Sequence, residues 1–400
     1  MKKSVRTYIN QLERIDYKII ICLVLLNAFG LLMIYSASSF SCSIDPDYNY
    51  DDMYFVKRQA VFVIAGFIAM LLVSRINYNW LRRIAAPVYV ASVFSIFLLL
   101  TPLGVKANEA VRWIKIGGFT LQIAEVVKLG LIIGLALFFS KYYKRLKYVQ
   151  VIFVAWVLGA IPALWVYKIS NNLSTAIILL GMTFALTFIL APGWKLHGGI
   201  VACGAGLVVA GVWYLKNNLP SQAELDSVSF RIGRFAAWIA PEQYADTQGF
   251  QSLQALYAVA SGGLFGRGFG RGIQKLEKIP ESQNDMIFSI VCEELGAVGA
   301  VLLIILFVYL IYLLVKVALH GENIFGTVLV AGVALHIALQ TIINIGVVLM
   351  LLPNTGVSLP FISYGGSAVV FTLVEMGLVL SVNRVHVQKK IQRKMREEEE

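Results

Sequence analysis

One carboxylate and a set of basic residues around it hold most of the chemical potential in this sequence. Asp285 stands directly ahead of the apolar residues Met286, Ile287, Phe288 and Ile290, where a water-facing loop meets a long hydrophobic segment. A carboxylate at such a boundary can stay ionised while its surroundings raise its pKa towards that of a working base. An Asp just ahead of a helix can equally be an N-cap, or a favourable charge at the positive end of the helix dipole. Upstream, Gly266, Gly268, Gly270 and Gly272 alternate with Phe and Arg. Arginines among glycines offer amide donors and fixed positive charge, which suits a pyrophosphate. The run lacks the GK[ST] ending of a phosphate loop, however, and no strand is evident before it.

Other polar residues fall inside apolar segments, where each is a site candidate by default. The stretch RWIKIGGFTLQIAEVVKLG carries Arg112 at its start, then Gln122, Glu125 and Lys128 at spacings of three. That spacing predicts one helix face. Glu125 and Lys128 either hold a helix in register as a buried pair or take part in function. Arg231 and Arg234 can bind lipid phosphates loosely or hold a substrate. Glu293, eight residues after Asp285, stacks on the same face of a helix, with Glu294 one step round; either can tune Asp285 or pair with a loop Arg. His336, Gln340 and Asn344 repeat every four residues and read as helix glue rather than a metal site, while Glu375 has no partner that the sequence names. The uncharged run NTGVSLPFISYGGS, with Pro353, Pro360, Gly356, Gly365 and Gly366, implies irregular backbone lining a cavity inside the membrane. Ser363 and Tyr364 there can meet a sugar or pyrophosphate, or simply form a tight turn.

The elements that must position these residues are membrane helices. Of the 400 residues 58% are hydrophobic and 14% charged, with a mean hydropathy of +0.74, outside the range of soluble globular chains. No cleavable signal peptide is evident in the polar, basic first 18 residues. The net charge of +11 reads as cytoplasmic loop charge, and nucleic acid is not an expected partner. Cys22, Cys203 and Cys292 fall in apolar spans and Cys42 in a loop, which excludes a disulfide framework and a zinc site. Charge-poor runs predict ten spans: 19–40, 56–74, 84–102, 120–140, 148–167, 173–191, 197–215, 287–315, 325–351 and 366–383. Segments on the side of the two termini hold twenty Lys and Arg against six in the short opposite loops, which puts both termini in the cytoplasm. The expected organisation is a tail at 1–18, one ten-helix membrane domain at 19–383 and a tail at 384–400. A large loop at 216–285 faces outwards, with short helices roofing a cavity between the spans.

The order SGGLFGRGFGRGIQK, IPESQNDMIFSIVCEELGAVG, NTGVSLPFISYGGS resembles the SEDS family (shape, elongation, division and sporulation; FtsW, RodA and SpoVE). The resemblance covers nearly all of the chain. It implies an all-α integral membrane fold and a peptidoglycan glycosyltransferase that polymerises lipid II, releasing undecaprenyl pyrophosphate. In the family pattern PE-x-H-T-D-F-I-F, Pro280, Glu281, Asp285, Ile287 and Phe288 match, with Gln283 and Asn284 in place of His-Thr. By that match Asp285 is the catalytic carboxylate. Arg112, Glu125 and Lys128 match the family's RWI…QPSE…K, with Ile123 and Ala124 replacing Pro-Ser; Arg231, Arg234, Pro241 and Gln251 match R-x-x-R…P…Q. The segment NNLSTA at 171–176 lacks the acidic residue of the family's Q-P-D-L-G-T. Arg112, Glu125, Lys128, Arg231, Arg234, Lys275, Glu281 and Ser363 are the implied substrate contacts. Lipid II, membrane lipid and a class B penicillin-binding protein transpeptidase are the implied partners. A divalent cation (magnesium or manganese) could assist, without a dedicated ligand cage. YSAS at 35–38 leans towards the FtsW branch. A lipid II flippase or another amphiphile transporter fits the composition equally well, although no inverted repeat is visible. A silent scaffold for a transpeptidase is a third reading.

Overall fold

The computed structural model describes residues 3–107, 110–117, 119–220, 230–247, 249–276 and 279–399, with residues 3–15, Ala107, Ile116, Phe230, Arg231, Lys394, Glu398 and Glu399 described by their backbone alone. The helices are α1 (Lys3–Ile44), α2 (Tyr54–Arg75), α3 (Tyr78–Phe94), α4 (Ile123–Tyr142), α5 (Val149–Ile169), α6 (Leu173–Leu190), α7 (Lys195–Asn217), α8 (Phe230–Ile239), α9 (Phe250–Gly262), α10 (Ile287–Leu319), α11 (Ile324–Val348) and α12 (Gly366–Glu399). Among the described residues ten helices, all but α8 and α9, are long and apolar enough to cross a membrane. They match the ten expected spans in number and order, and most bounds agree to within a few residues; α3 starts earlier than the expected 84 and α12 runs well past the expected 383. Cys42 lies inside α1 and is buried, so the expected loop position is wrong: the first helix runs on past residue 40.

Helices α4, α11 and α12 form the buried centre, with α4 packed on α11 and α12 running along α2. Asn side chains cap where the chain re-enters: Asn172 accepts from Thr175 N–H at 3.0 Å and Asn323 from Gly326 N–H at 2.9 Å, each satisfying an orphan donor of the first turn. By contrast α7 buries only His197, and no neighbour lies near Gly199, Gly204, Gly206 or Gly211.

Between α3 and α4 the chain forms an antiparallel sheet in the order β1 (Gly104–Ala107), β2 (Ala110–Ile116), β3 (Phe119–Gln122). This corrects two expectations. Gln122 pairs with Trp113 across the sheet and is not on the helix face with Glu125 and Lys128. The fourth span starts at Ile123, three residues late. The run AVRWIKI is rich in β-branched and aromatic residues and ends at Gly117-Gly118, a hairpin turn signal, and this strand chemistry outweighs the helical spacing.

Helix α10 is broken at Gly296, which sits at φ 66° and ψ −169°. The amides freed there do not go unsatisfied: Ala297 N–H donates to Gly263 O at 2.9 Å and Val298 N–H to Leu264 O at 3.1 Å. Beyond the break α10 still covers roughly 35 Å, enough to span a hydrocarbon core of about 30 Å. Ahead of it, residues from Ile287 to Glu294 are buried. The run 349–365 is irregular, as the prolines and glycines imply, and its carbonyls are held by side chains. Ser174 donates to Thr355 O, Asn344 to Val357 O and Gln340 to Ser358 O. Helix α12 continues through the segment expected as a tail, where His386, Lys389 and Arg393 face Glu322 at 3.3, 3.6 and 3.4 Å.

Candidate active site

Asp285 occupies the turn just before α10. It caps nothing: Met286 is the cap residue of α10, and no side chain accepts from the first-turn amides. The N-cap alternative is therefore set aside. The Asp285 backbone is fixed from below, where Asn344 Nδ2 donates to Asp285 O and Val357 O, both at 2.7 Å. The carboxyl itself is loosely served. Gln251 Nε2 reaches Oδ1 at 3.5 Å while also donating to Pro280 O at 3.1 Å. Gln251 Oε1 accepts from Asn354 Nδ2 at 2.9 Å, and Asn354 O accepts from Arg234 Nη1 at 3.3 Å. Gly356, at φ +67°, lies against the carboxyl: an added Cβ there would be in van der Waals contact with Oδ2 at 3.8 Å.

This environment shapes the charge. Burial pushes the Asp285 carboxyl up to about 6, the nearby Glu281 carboxylate adds to the rise, and Arg234 works against both. Arg234 is lowered, again by burial first, with Asp285 pulling it back towards the charged form and Arg112 pushing it down. A half-buried carboxyl with one guanidinium, that of Arg234, nearby is a base stronger than an ordinary Asp and still mostly ionised at neutral pH.

Several expected site residues converge here and others do not. Arg234 on α8 feels the charges of both Asp285 and Arg112 on β2, and exposed Glu281, at φ +49°, accepts from Asn284 Nδ2 at 2.8 Å. The side chain of Arg231 lies outside the described residues; its backbone belongs to α8. Lys275, expected among the cations, is buried elsewhere, with Nζ 2.6 Å from Glu294 Oε1 and 2.8 Å from Ser36 Oγ. Its charge is neutralised by Glu294, so it is a strut rather than a pyrophosphate ligand. Ser363 is buried, and its hydroxyl accepts from Leu359 N–H at 2.7 Å, which makes it a turn former. Lys128 Nζ lies 2.9 Å from Glu125 Oε1 and 3.2 Å from Gln340 Oε1, deep between α4 and α11.

The glycine run is not an anion cradle. Gly270 N–H donates to Glu294 Oε2 at 3.0 Å, and the amides of Ile273 and Gln274 donate to Glu293 Oε1 at 2.7 and 3.2 Å. Those donors are spent on the protein's own carboxylates, so Glu293 and Glu294 hold the loop and do not tune Asp285. Glu375 does have a partner: His336 Nδ1 stands 2.8 Å from its Oε2. Gln251 and Asn354 were missing from the expected contacts; Gln251 was visible only as a motif match, and Asn354 only as part of an Asn-Thr-Gly turn. Among the described residues no three His, Cys, Asp or Glu side chains converge. Asp285 and Glu281 are the carboxylates at the site and do not make a cation cage, so no step is assigned to a metal.

Known proteins resemble this chain over most of its length. Residues 16–388 match the FtsW/RodA/SpoVE family model, described as cell cycle protein. A probable peptidoglycan glycosyltransferase FtsW of Trichlorobacter lovleyi is 33% identical over 93% of this chain and 94% of its own length. Stage V sporulation protein E of Bacillus subtilis is 34% identical over 92% of this chain and 97% of its own. Among solved structures, a chain from work on coordination of polymerization and crosslinking by a peptidoglycan synthase complex superposes with a TM-score of 0.72 at 25% identity, covering 92% and 98% of the two chains. Thermus thermophilus RodA superposes with a TM-score of 0.61 at 25% identity, covering 92% and 96%. This chain, a multi-pass membrane protein, belongs to the FtsW/RodA/SpoVE family.

Proposed function

We propose that the chain is a peptidoglycan glycosyltransferase that polymerises lipid II into glycan strands, for cell division or cell-shape maintenance. The names of its relatives support the activity. The observation that carries the mechanism is Asp285: an uncapped carboxyl with a raised pKa, beside Arg234. The acceptor sugar's C4 hydroxyl attacks the anomeric carbon of the growing chain. Its proton passes to Asp285, and the bond from that carbon to the pyrophosphate oxygen breaks, releasing undecaprenyl pyrophosphate. Arg234 and Arg112 offset the charge that develops on the leaving group. Lys128, Lys275 and Ser363 act at a distance, through the packing that holds the site. A class B penicillin-binding protein transpeptidase is the expected partner, a reading favoured by the fold shared with a chain of a peptidoglycan synthase complex.

The site faces outwards from the bacterial cytoplasmic membrane in this reading, with both termini inside. The twenty-to-six bias of Lys and Arg supports that orientation. Ser282, in the loop, is buried and donates to Ala37 O, so a label there would report packing. Arg271 is exposed. A cysteine placed at Arg271, in a background without native cysteines, labels from outside in intact cells. Labelling only after lysis overturns the orientation.

The activity is tested by Asp285→Asn. Removal of a positioned base lowers polymerisation by about a hundred- to ten-thousand-fold, while the purified variant keeps its thermal stability and binds lipid II. Wild-type polymer yield from that variant returns the flippase reading to first place.

A further inference from the structure

A second polar cluster lies within the helix bundle, on the far side of Gln340 from Asp285. Gln340 Nε2 donates to Ser358 O at 3.0 Å. A carbonyl only accepts, so the amide nitrogen must face Ser358 and Oε1 must face the other way. There Oε1 meets Lys128 Nζ at 3.2 Å and His336 Nε2 at 2.8 Å. Because Oε1 has no proton to give, His336 Nε2 carries one. The remaining ring nitrogen, Nδ1, lies 2.8 Å from Glu375 Oε2. That contact also needs a proton, either on Nδ1 facing a carboxylate or on Glu375 facing a neutral ring. In both forms the His336–Glu375 pair has zero net charge, as has the Glu125–Lys128 pair at 2.9 Å. All five side chains are buried, His336 and Glu375 to within 1% of full burial. A neutral, fully bonded chain is the form in which such groups persist inside a membrane.

The geometry points to His336 and Glu375 as positioning residues for the proposed transfer reaction: their shared proton fixes the ring so that it aims Gln340 at the 349–365 run. One turn further along α11, Asn344 holds Val357 O and Asp285 O together. The same irregular run supplies Asn354 to Gln251 and Arg234. Lys128 alone cannot set Gln340, since a rotating ammonium accepts many acceptor positions, whereas a ring held at both nitrogens allows one. This inference rests on the glycosyltransferase reading only for its kinetic consequence; the ordering of the run stands on its own.

Glu375→Gln supplies an amide N–H to Nδ1 and keeps Nε2 protonated, so it separates the hydrogen bond from the carboxylate. His336→Leu removes the donor to Gln340. The full chain in lipid nanodiscs is assayed for lipid II polymerisation across substrate concentrations, and by hydrogen exchange of peptides covering 352–363. For His336→Leu the maximal rate per folded molecule falls roughly ten- to a hundred-fold, the effect of a misplacement near 1 Å. Its KM changes little and exchange in 352–363 rises. Glu375→Gln keeps most of the rate and the protection, while Glu375→Leu behaves like His336→Leu. Unchanged exchange in His336→Leu, or equal loss in Glu375→Gln and Glu375→Leu, overturns the assignment. A wild-type protein that makes no polymer sinks the glycosyltransferase reading instead, and the exchange measurement still decides the positioning role.

Discussion

Two acidic positions stand within nine residues of one another and have opposite surroundings. Glu294 is fully buried, with both carboxylate oxygens taken by Ser36, one also by Lys275 and the other by Gly270 N–H. Asp285 is half-buried, caps no helix and draws only its own backbone amide and one long side-chain contact, from Gln251. A carboxylate saturated with donors has no lone pair left for chemistry and serves as a mechanical anchor. One that is short of donors keeps a raised pKa and a free lone pair, which is what a general base needs. Sequence order places the two groups together; the supply of donors separates their roles.

The largest effects come from removing each carboxylate. Asp285→Asn abolishes polymer formation with little change in melting temperature. Glu294→Leu strips Lys275 of its buried partner, and breaking such a pair by removing one member costs about 3–5 kcal/mol. That variant yields little folded protein, measured by size-exclusion recovery and thermal unfolding. A stable Glu294→Leu, or an Asp285→Asn that fails to fold, breaks the contrast.

Next in size is the pH dependence. The Asp285 carboxyl rises from 3.8 to about 6 on folding. Its contribution to stability is thus greatest below pH 4 and is lost as pH rises through 6, opposite in sign to that of a salt-bridged Asp. Activity runs the other way, because the base must be deprotonated. The profile of kcat/KM has an acid limb near pH 6. Glu281→Gln moves that limb to lower pH, since the Glu281 carboxylate raises Asp285, and Arg234→Gln moves it higher. An acid limb at 4, unmoved by either change, would mean that another group sets the rate.

The membrane fold was legible in the sequence because length and hydropathy decide it: ten apolar runs become ten helices, and Pro353 with Gly356 marks the irregular run between α11 and α12. Asp285 was legible through its motif and its place at a span boundary. The sheet ahead of α4 was hidden because its strands are only four to seven residues long and lack a clean alternation, while Gln122, Glu125 and Lys128 satisfy a helical spacing. The roles of Lys275 and Glu375 were hidden for a different reason. Each is decided by residues outside its own segment, Glu294 and Ser36 for Lys275 and His336 for Glu375, and no local pattern records such a meeting. Basic residues near a glycine run look alike whether they face a ligand or a buried carboxylate.

The smallest effect tests the anchored half of the comparison. Gly266 and Gly270 both have positive φ, +78° and +77°, but their neighbourhoods differ. A Cβ on Gly266 would lie 2.1 Å from Glu294 O, whereas nothing stands within 4 Å of one on Gly270. Gly266→Ala therefore forces the loop off α10 and fails to fold well. Gly270→Ala meets only the left-handed backbone penalty of about 1–2 kcal/mol, read as a modest drop in melting temperature. Its amide already donates to Glu294, so lipid II use per folded molecule should stay at the wild-type level. An amide cradle for pyrophosphate would instead show Gly270→Ala as a rise in KM at unchanged stability. That result would move the glycine run from the anchored region into the active site.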